Sequence, residues 1–384
     1  MVPPRSGRFH GSAPLGSVRW FRLVRVDSKG SRAGATPGLS WSRNPGGAGG
    51  RPCIRTGDPP SFSGFSRSQP GVFAVTEPSS EDRFVALFTG QASQFPGMGR
   101  ALYDASTAAR EVFEEGERAL PGLKELCFEG PEEALVLTEN TQPCVLAVDV
   151  AAYRAFGRKP AAAAGHSLGE YAAHVAAGSL PFAEALVLVR ERAKAMQEAV
   201  PPGKGGMVVL RKLSLEEARE VAASIESGIC DLANLNAPGQ YVLSGEAQAM
   251  EEVVDKLGPR KALKLPVSVP FHSSLLREAG EAFAERLDKV AFGDPSFPIV
   301  SNVDARFVET GEQARDALKR QFAGSVLWED SMNYLFDKGY RRFVEFGPKP
   351  TLARMAVSCG RAYGAGKEDF ELEASAVCTP EDLG

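Results

Sequence analysis

Long hydrophobic runs are missing from this 384-residue chain: none approaches the ~20 apolar residues that a membrane-spanning helix requires. No membrane partner is therefore expected. Cysteine is sparse and scattered. The six thiols (Cys53, Cys127, Cys144, Cys230, Cys359, Cys378) form no Cys-x-x-Cys pair, which points away from a zinc site or disulfide framework and toward reduced thiols inside a cell. Histidine is scarcer still, with four in the chain, so a reaction that needs an imidazole has few candidates. The rest is ordinary: 43% hydrophobic and 24% charged residues suit a globular protein with a sizeable core.

Acidic residues are what the N-terminus lacks. Residues 1–80 set Asp27, Asp58 and Glu77 against ten arginines and Lys29, amid many Gly, Ser and Pro. That segment carries +8, so residues 81–384 carry −12 within a net charge of −4. A basic, Ser-rich, acid-poor start ahead of an acidic domain reads as a transit peptide that is removed on entry to an organelle. Arg19, Arg22 and Arg25 share one face of a short helix, which is mitochondrial in style, whereas the remainder is plastid-like. A disordered leader stays open as the alternative. A nucleic-acid arm fits poorly, because the acidic domain behind it repels phosphate.

Beyond residue 80 the pattern turns regular. An apolar strand at 84–88 runs into the loop Thr89-Gly90-Gln91-Ala92-Ser93-Gln94, and Thr141-Gln142-Pro143 precedes an apolar helix at 145–156. Strands followed directly by helices predict parallel βαβ units in a covered sheet. Residues 205–271 change rhythm, to strand, helix, strand, strand, helix, strand, which is the ferredoxin-like plan. The expected class is α/β. A large α/β-hydrolase-like domain with a parallel sheet (81–204 and 272–360) carries an inserted ferredoxin-like βαββαβ subdomain (205–271) and a loose C-terminal tail (361–384).

The chemistry centres on Gly165-His166-Ser167-Leu168-Gly169, which follows four alanines and opens into a helix-forming segment. Gly-x-Ser-x-Gly between a strand and a helix is a nucleophile elbow, a turn tight enough to demand glycine on either side of the serine. The helix that starts there aims free N–H groups at an oxyanion forming beside it. A serine nucleophile needs a base. His10 lies in the leader, His166 adjoins Ser167 and points elsewhere, and His174 is two helical turns from the elbow. His272 remains, at the seam where the inserted subdomain rejoins the larger one, and clefts between domains are where ligands bind. Arg192 is the second telling residue, on the flank of an apolar helix face between Ala185 and Leu188. A guanidinium there needs an anionic partner, either an internal carboxylate or the carboxylate of a substrate held bidentately.

Together these residues resemble the malonyl-CoA:acyl carrier protein transacylases and the related acyltransferase domains of fatty-acid and polyketide synthases, from about residue 84 to about residue 356. The resemblance makes Ser167 the acylated serine, His272 its catalytic partner and Arg192, 25 residues after the serine, the carboxylate-binding arginine. It implies that the backbone carbonyl of Gln321 orients His272 and that the amides of Gln91 and Leu168 form the oxyanion hole. Gln142, His166, Asn236 and Phe271 are its implied pocket residues, Phe271 being the bulky type that disfavours a branched acyl group. Asn236-Ala237-Pro238-Gly239-Gln240 and Glu345-Phe346-Gly347-Pro348 match further signatures. Thr89 and Ala92 depart from the family's Pro-Gly-Gln-Gly-Ser-Gln, and Ala92 is strained if its position needs positive φ. The implied partners are a coenzyme A thioester and acyl carrier protein, and no metal or tightly bound cofactor is implied. A serine thioesterase or hydrolase shares the elbow, a polyketide-type acyltransferase shares the motifs, and a non-catalytic scaffold would be expected to have lost the serine or histidine.

Overall fold

The computed structural model describes residues 21–22 and 83–383. The transit-peptide reading of the leader lies outside the described residues apart from Phe21–Arg22, which form strand β1. Ten further strands follow: β2 Val85–Phe88, β3 Ala162–Gly165, β4 Gly205–Arg211, β5 Cys230–Ala237, β6 Gln240–Glu246, β7 Ala262–Lys264, β8 Ile299–Val300, β9 Phe307–Val308, β10 Arg342–Phe346 and β11 Glu373–Val377. They make two sheets. The larger has the order β1-β11-β10-β2-β3-β8-β9, parallel from β11 through β8 with an antiparallel strand at each edge.

Burial on both faces explains why the central strands read as unbroken apolar runs. In β2, Ala86 and Phe88 join the core on one side with helices Thr138–Phe156, Leu168–Ala176 and Phe182–Glu198, while Val85 and Leu87 pack on the other with Trp328–Asp337 and Leu352–Tyr363. Strand β3 alternates likewise with nothing larger than alanine: Ala163 faces one core, Ala162 and Ala164 the other, all fully buried. Small side chains are required there because the turn beyond β3 folds back on the sheet. A Cβ at Gly165 would lie 2.0 Å from the Gly169 carbonyl, and one at Gly169 would lie 2.1 Å from the carbonyl oxygen of Phe88.

The smaller sheet, antiparallel in the order β5-β6-β4-β7, is interrupted in sequence by helices Leu215–Ala223 and Ala247–Leu257 and has its own core of Val208, Leu210, Leu243 and Met250. Its edge strand β5 docks on the larger unit through Leu235 N–H to Val326 O (2.9 Å) and Val326 N–H to Ala233 O (2.8 Å). Asp231 of β5 also accepts from the N–H and hydroxyl of Ser274 (2.7 and 2.8 Å), two residues beyond His272.

Two expectations are corrected. The tail expected to be loose contains the end of helix Leu352–Tyr363 and strand β11, which pairs in parallel along all of β10. Its pattern was too short and too broken by Glu and Ser to read as a strand, yet Ala374 and Val377 are buried against the sheet. The helix placed after Pro143 begins earlier, at Thr138, and takes in the proline near its start. The buried carboxylate of Glu345 accepts from the N–H groups of Thr351, Leu352 and Ala353 (2.8–2.9 Å), capping the helix that follows the Gly347-Pro348 turn.

The close approach beneath the elbow makes a direct prediction. Gly169→Ala forces a methyl group into the Phe88 carbonyl and lowers the unfolding free energy by about 3 kcal/mol or more. A denaturant titration checks it, and wild-type stability in that variant would show that the backbone yields.

Candidate active site

Ser167 turns the chain from β3 into helix Leu168–Ala176 with φ 53° and ψ −103°, a conformation that side-chain-bearing residues rarely adopt. Strain of this sort costs of order 1–3 kcal/mol and persists only where the surroundings over-determine it. Asn302, just after β8, supplies that constraint. Its Oδ1 accepts from Ser167 N–H at 2.7 Å and its Nδ2 donates to Gly165 O at 2.6 Å, so one side chain spans the turn. Sequence reasoning did not find Asn302. An asparagine closing an apolar strand directed at the same edge of the sheet was the available signal.

Ser167 Oγ lies 2.7 Å from His272 Nε2. The other ring nitrogen, Nδ1, faces the backbone carbonyls of Gln321 (3.2 Å) and Gly324 (3.0 Å). Carbonyl oxygens only accept, so Nδ1 carries the hydrogen and Nε2 presents its lone pair to the serine hydroxyl. The Gln321 carbonyl is where the resemblance put it; that of Gly324 was not foreseen. Burial, reinforced by the Arg192 guanidinium and by His166, pushes the His272 pKa down to about 3 against the pull of the two carbonyls, so the imidazole is neutral at pH 7. His174 is elsewhere, bonded to Ser179, and His10 lies outside the described residues.

Arg192 is fully buried within helix Phe182–Glu198. Nη1 donates to Gln142 Oε1 (2.9 Å), and Nη2 donates to Gln321 Oε1 (2.9 Å) and to Ser167 Oγ (3.2 Å); the guanidinium also lies over the Tyr171 ring, 5.4 Å from its centroid. Each of these partners is neutral. Among the described residues no carboxylate comes within ion-pair distance of it. The internal-carboxylate alternative therefore fails in its direct form.

The loop bearing Gln91 is tied to the same cluster, since Gln142 Nε2 donates to Gln91 Oε1 at 3.1 Å. Among the described residues the N–H groups of Gln91 and Leu168 have no acceptor. Ala92 does take positive φ (75°), a conformation costing an L-residue roughly 1–2 kcal/mol. Local bonds hold it there: Gln94 Oε1 accepts from Ala92 N–H (2.8 Å), Ser93 Oγ donates to Gly90 O (2.8 Å), and Thr89 donates to buried Asp149 (2.7 Å). Beside this network His166 Nε2 meets Asn236 Oδ1 at 2.8 Å, with its ring against Trp328. Half-buried Phe271 packs at the seam between the two units.

A neutral imidazole and a buried cation thus converge on the Ser167 hydroxyl oxygen. A family model for the acyl transferase domain matches residues 85–376. The chain belongs to that family. Among its relatives is the malonyl CoA-acyl carrier protein transacylase of Bacillus subtilis (strain 168), 39% identical over 306 residues that cover 77% of this chain and 94% of the relative. An acyl-carrier-protein S-malonyltransferase structure from Burkholderia pseudomallei 1710b superposes with a TM-score of 0.73 at 37% identity, covering 78% of this chain and 98% of that one. A third, at TM-score 0.73 and 36% identity with 78% and 97% coverage, is a type II PKS acyl-carrier protein in complex with its malonyl-transacylase. The resemblance read from the motifs is borne out. Among the described residues, this acyl transferase holds its histidine with two peptide carbonyls and no acidic third member.

The depressed pKa has a sign that can be checked. Unfolded His272 titrates near pH 6.5 and folded His272 near 3, so its contribution to stability is complete above about 6.5 and is lost as pH falls toward 3. His272→Gln removes that titration. Between pH 6 and 4 its stability should fall less steeply than that of the wild type, by about 1.4 kcal/mol per pH unit. Parallel profiles from denaturation at several pH values would contradict the buried neutral state.

Proposed function

We propose that the chain transfers a malonyl group from malonyl-CoA to the phosphopantetheine thiol of acyl carrier protein through a malonyl-serine intermediate, supplying fatty-acid biosynthesis. The observation that carries this reading is Arg192, a buried cation 3.2 Å from the nucleophile with only neutral partners. Burying a charge is costly unless an opposite charge joins it. A free carboxylate on the acyl group, as in malonate, completes the site, whereas an acetyl group leaves it uncompensated. The names of the relatives support the same donor and acceptor.

The steps follow from the geometry. His272 Nε2 takes the Ser167 hydroxyl proton as Oγ attacks the thioester carbonyl. The Gln91 and Leu168 amides receive the oxyanion, a contribution worth about 2.7–4 kcal/mol per donor in comparable sites. The C–S bond breaks and the imidazolium returns its proton to the CoA sulfur. The carrier-protein thiol then runs the sequence in reverse, giving its proton to His272 and leaving with the acyl group. Protein groups supply this chemistry, and the reading calls for no resident cofactor. We read the larger unit as hydrolase-like and the smaller sheet as ferredoxin-like, and we assign the basic leader to import into a plastid or mitochondrion.

Intact-mass analysis after mixing with malonyl-CoA tests the core of the reading. The wild type should gain one malonyl group and lose it on addition of holo acyl carrier protein. Ser167→Ala should gain none, and persistent loading of that variant would sink the assignment.

Arg192→Ala tests the substrate. Loss of charge-assisted bonds worth roughly 1.5–3 kcal/mol each should cut malonyl transfer at least about tenfold and spare acetyl transfer. Equal losses for the two acyl groups would defeat the carboxylate-binding role.

A further inference from the structure

Arg192 is held in place through Gln321, and what holds Gln321 lies one side chain further away. Glu170 occupies the first turn of the helix that begins at the elbow and is fully buried. Its Oε2 accepts from Gln321 Nε2 (2.8 Å) and from the Asn302 N–H (3.1 Å), while among the described residues Oε1 has no partner. Gln321, also fully buried, spends both ends of its amide here. Nε2 donates to Glu170 and to Ser167 O (2.8 Å), and Oε1 accepts from Arg192 Nη2 (2.9 Å). With acceptors on one side and a cation on the other, only this orientation of the amide satisfies all its neighbours. Guanidinium and carboxylate are therefore joined in series through one polarised amide.

We propose that Glu170 is a positioning residue for acyl selectivity: it fixes the Gln321 amide so that its oxygen holds Arg192 toward the acyl site. The proposal rests on the malonyl reading above. A carboxylate paired directly with Arg192 would occupy the guanidinium fork and compete with the substrate. Set back by one amide, Glu170 steadies Gln321 and leaves the fork free for the incoming carboxylate. Gln321 thereby acts twice, through its backbone carbonyl on His272 and through its side chain on Arg192. Glu170 touches neither His272 nor the serine hydroxyl, so its effect should fall on selectivity more than on turnover.

The test compares Glu170→Gln, which keeps a carbonyl oxygen able to accept from Gln321, with Glu170→Leu, which does not. kcat and KM for malonyl-CoA and acetyl-CoA are measured in the wild-type and Arg192→Ala backgrounds, with melting temperatures for each. Glu170→Leu should lower the malonyl-to-acetyl ratio of kcat/KM by about tenfold or more, and Glu170→Gln should stay within about threefold. In the Arg192→Ala background the same leucine substitution should leave the ratio nearly unchanged, because its route of action is gone. A folded Glu170→Leu enzyme with the wild-type ratio would overturn the proposal, as would an equal fall in the Arg192→Ala background. Should Glu170→Leu fail to fold, Gln321→Met removes the same relay, and an unchanged ratio there is equally fatal. A wild-type enzyme that loads malonyl and acetyl groups alike would instead sink the reading of the site itself.

Discussion

Two stretches of backbone meet beneath Ser167 at a distance only glycine allows, with the Phe88 carbonyl on one side and the turn Gly165–Gly169 on the other. That contact fixes the serine relative to the sheet. The alanines of β3 are fully buried beneath it, on both faces of the sheet. The register of β2 with β3, Phe88 opposite Gly165, then delivers the loop bearing Gln91 to the same edge. Asn302 reaches the elbow from β8, the neighbour of β3 on the far side. Three adjacent parallel strands thus each end at the nucleophile.

On this frame the charged groups are arranged by what each would cost alone. Arg192 is held by two glutamine oxygens, His272 by two peptide carbonyls, and Glu170 by an amide and a backbone N–H. Burial lifts the Glu170 pKa to about 7 and lowers that of His272 to about 3, so both are pushed toward their uncharged forms. The site keeps charge low wherever a neutral group serves.

Much of this was legible in the chain. Gly-x-Ser-x-Gly after small residues gave the elbow, elimination among four histidines gave His272, and helical projection set Arg192 against an apolar face. The order of strands and helices in 205–271 was read correctly, although β7 proved shorter than its apolar pattern. What escaped was contact between residues far apart in sequence. Asn302 lies 135 residues from the serine it clamps and Gly324 lies 52 from the histidine it orients, and neither has a local pattern that announces the meeting. Glu170 was visible only as part of a motif. Its burial inside an otherwise apolar helix was the physical clue. Strand β11 was missed because a strand completed by tertiary pairing on both sides needs little alternation of its own.

The seam at His272 has a mechanical consequence. Val326, which pairs with β5 of the smaller sheet, stands two residues from the Gly324 carbonyl that aims the imidazole, and Asp231 of the same strand grips Ser274 on the other side of it. The small unit is thus geared to the base at two points. Any swing of that unit, whether by thermal motion or under the push of a docking protein, would turn the imidazole against the serine. Opening the cleft and disengaging the base become one movement.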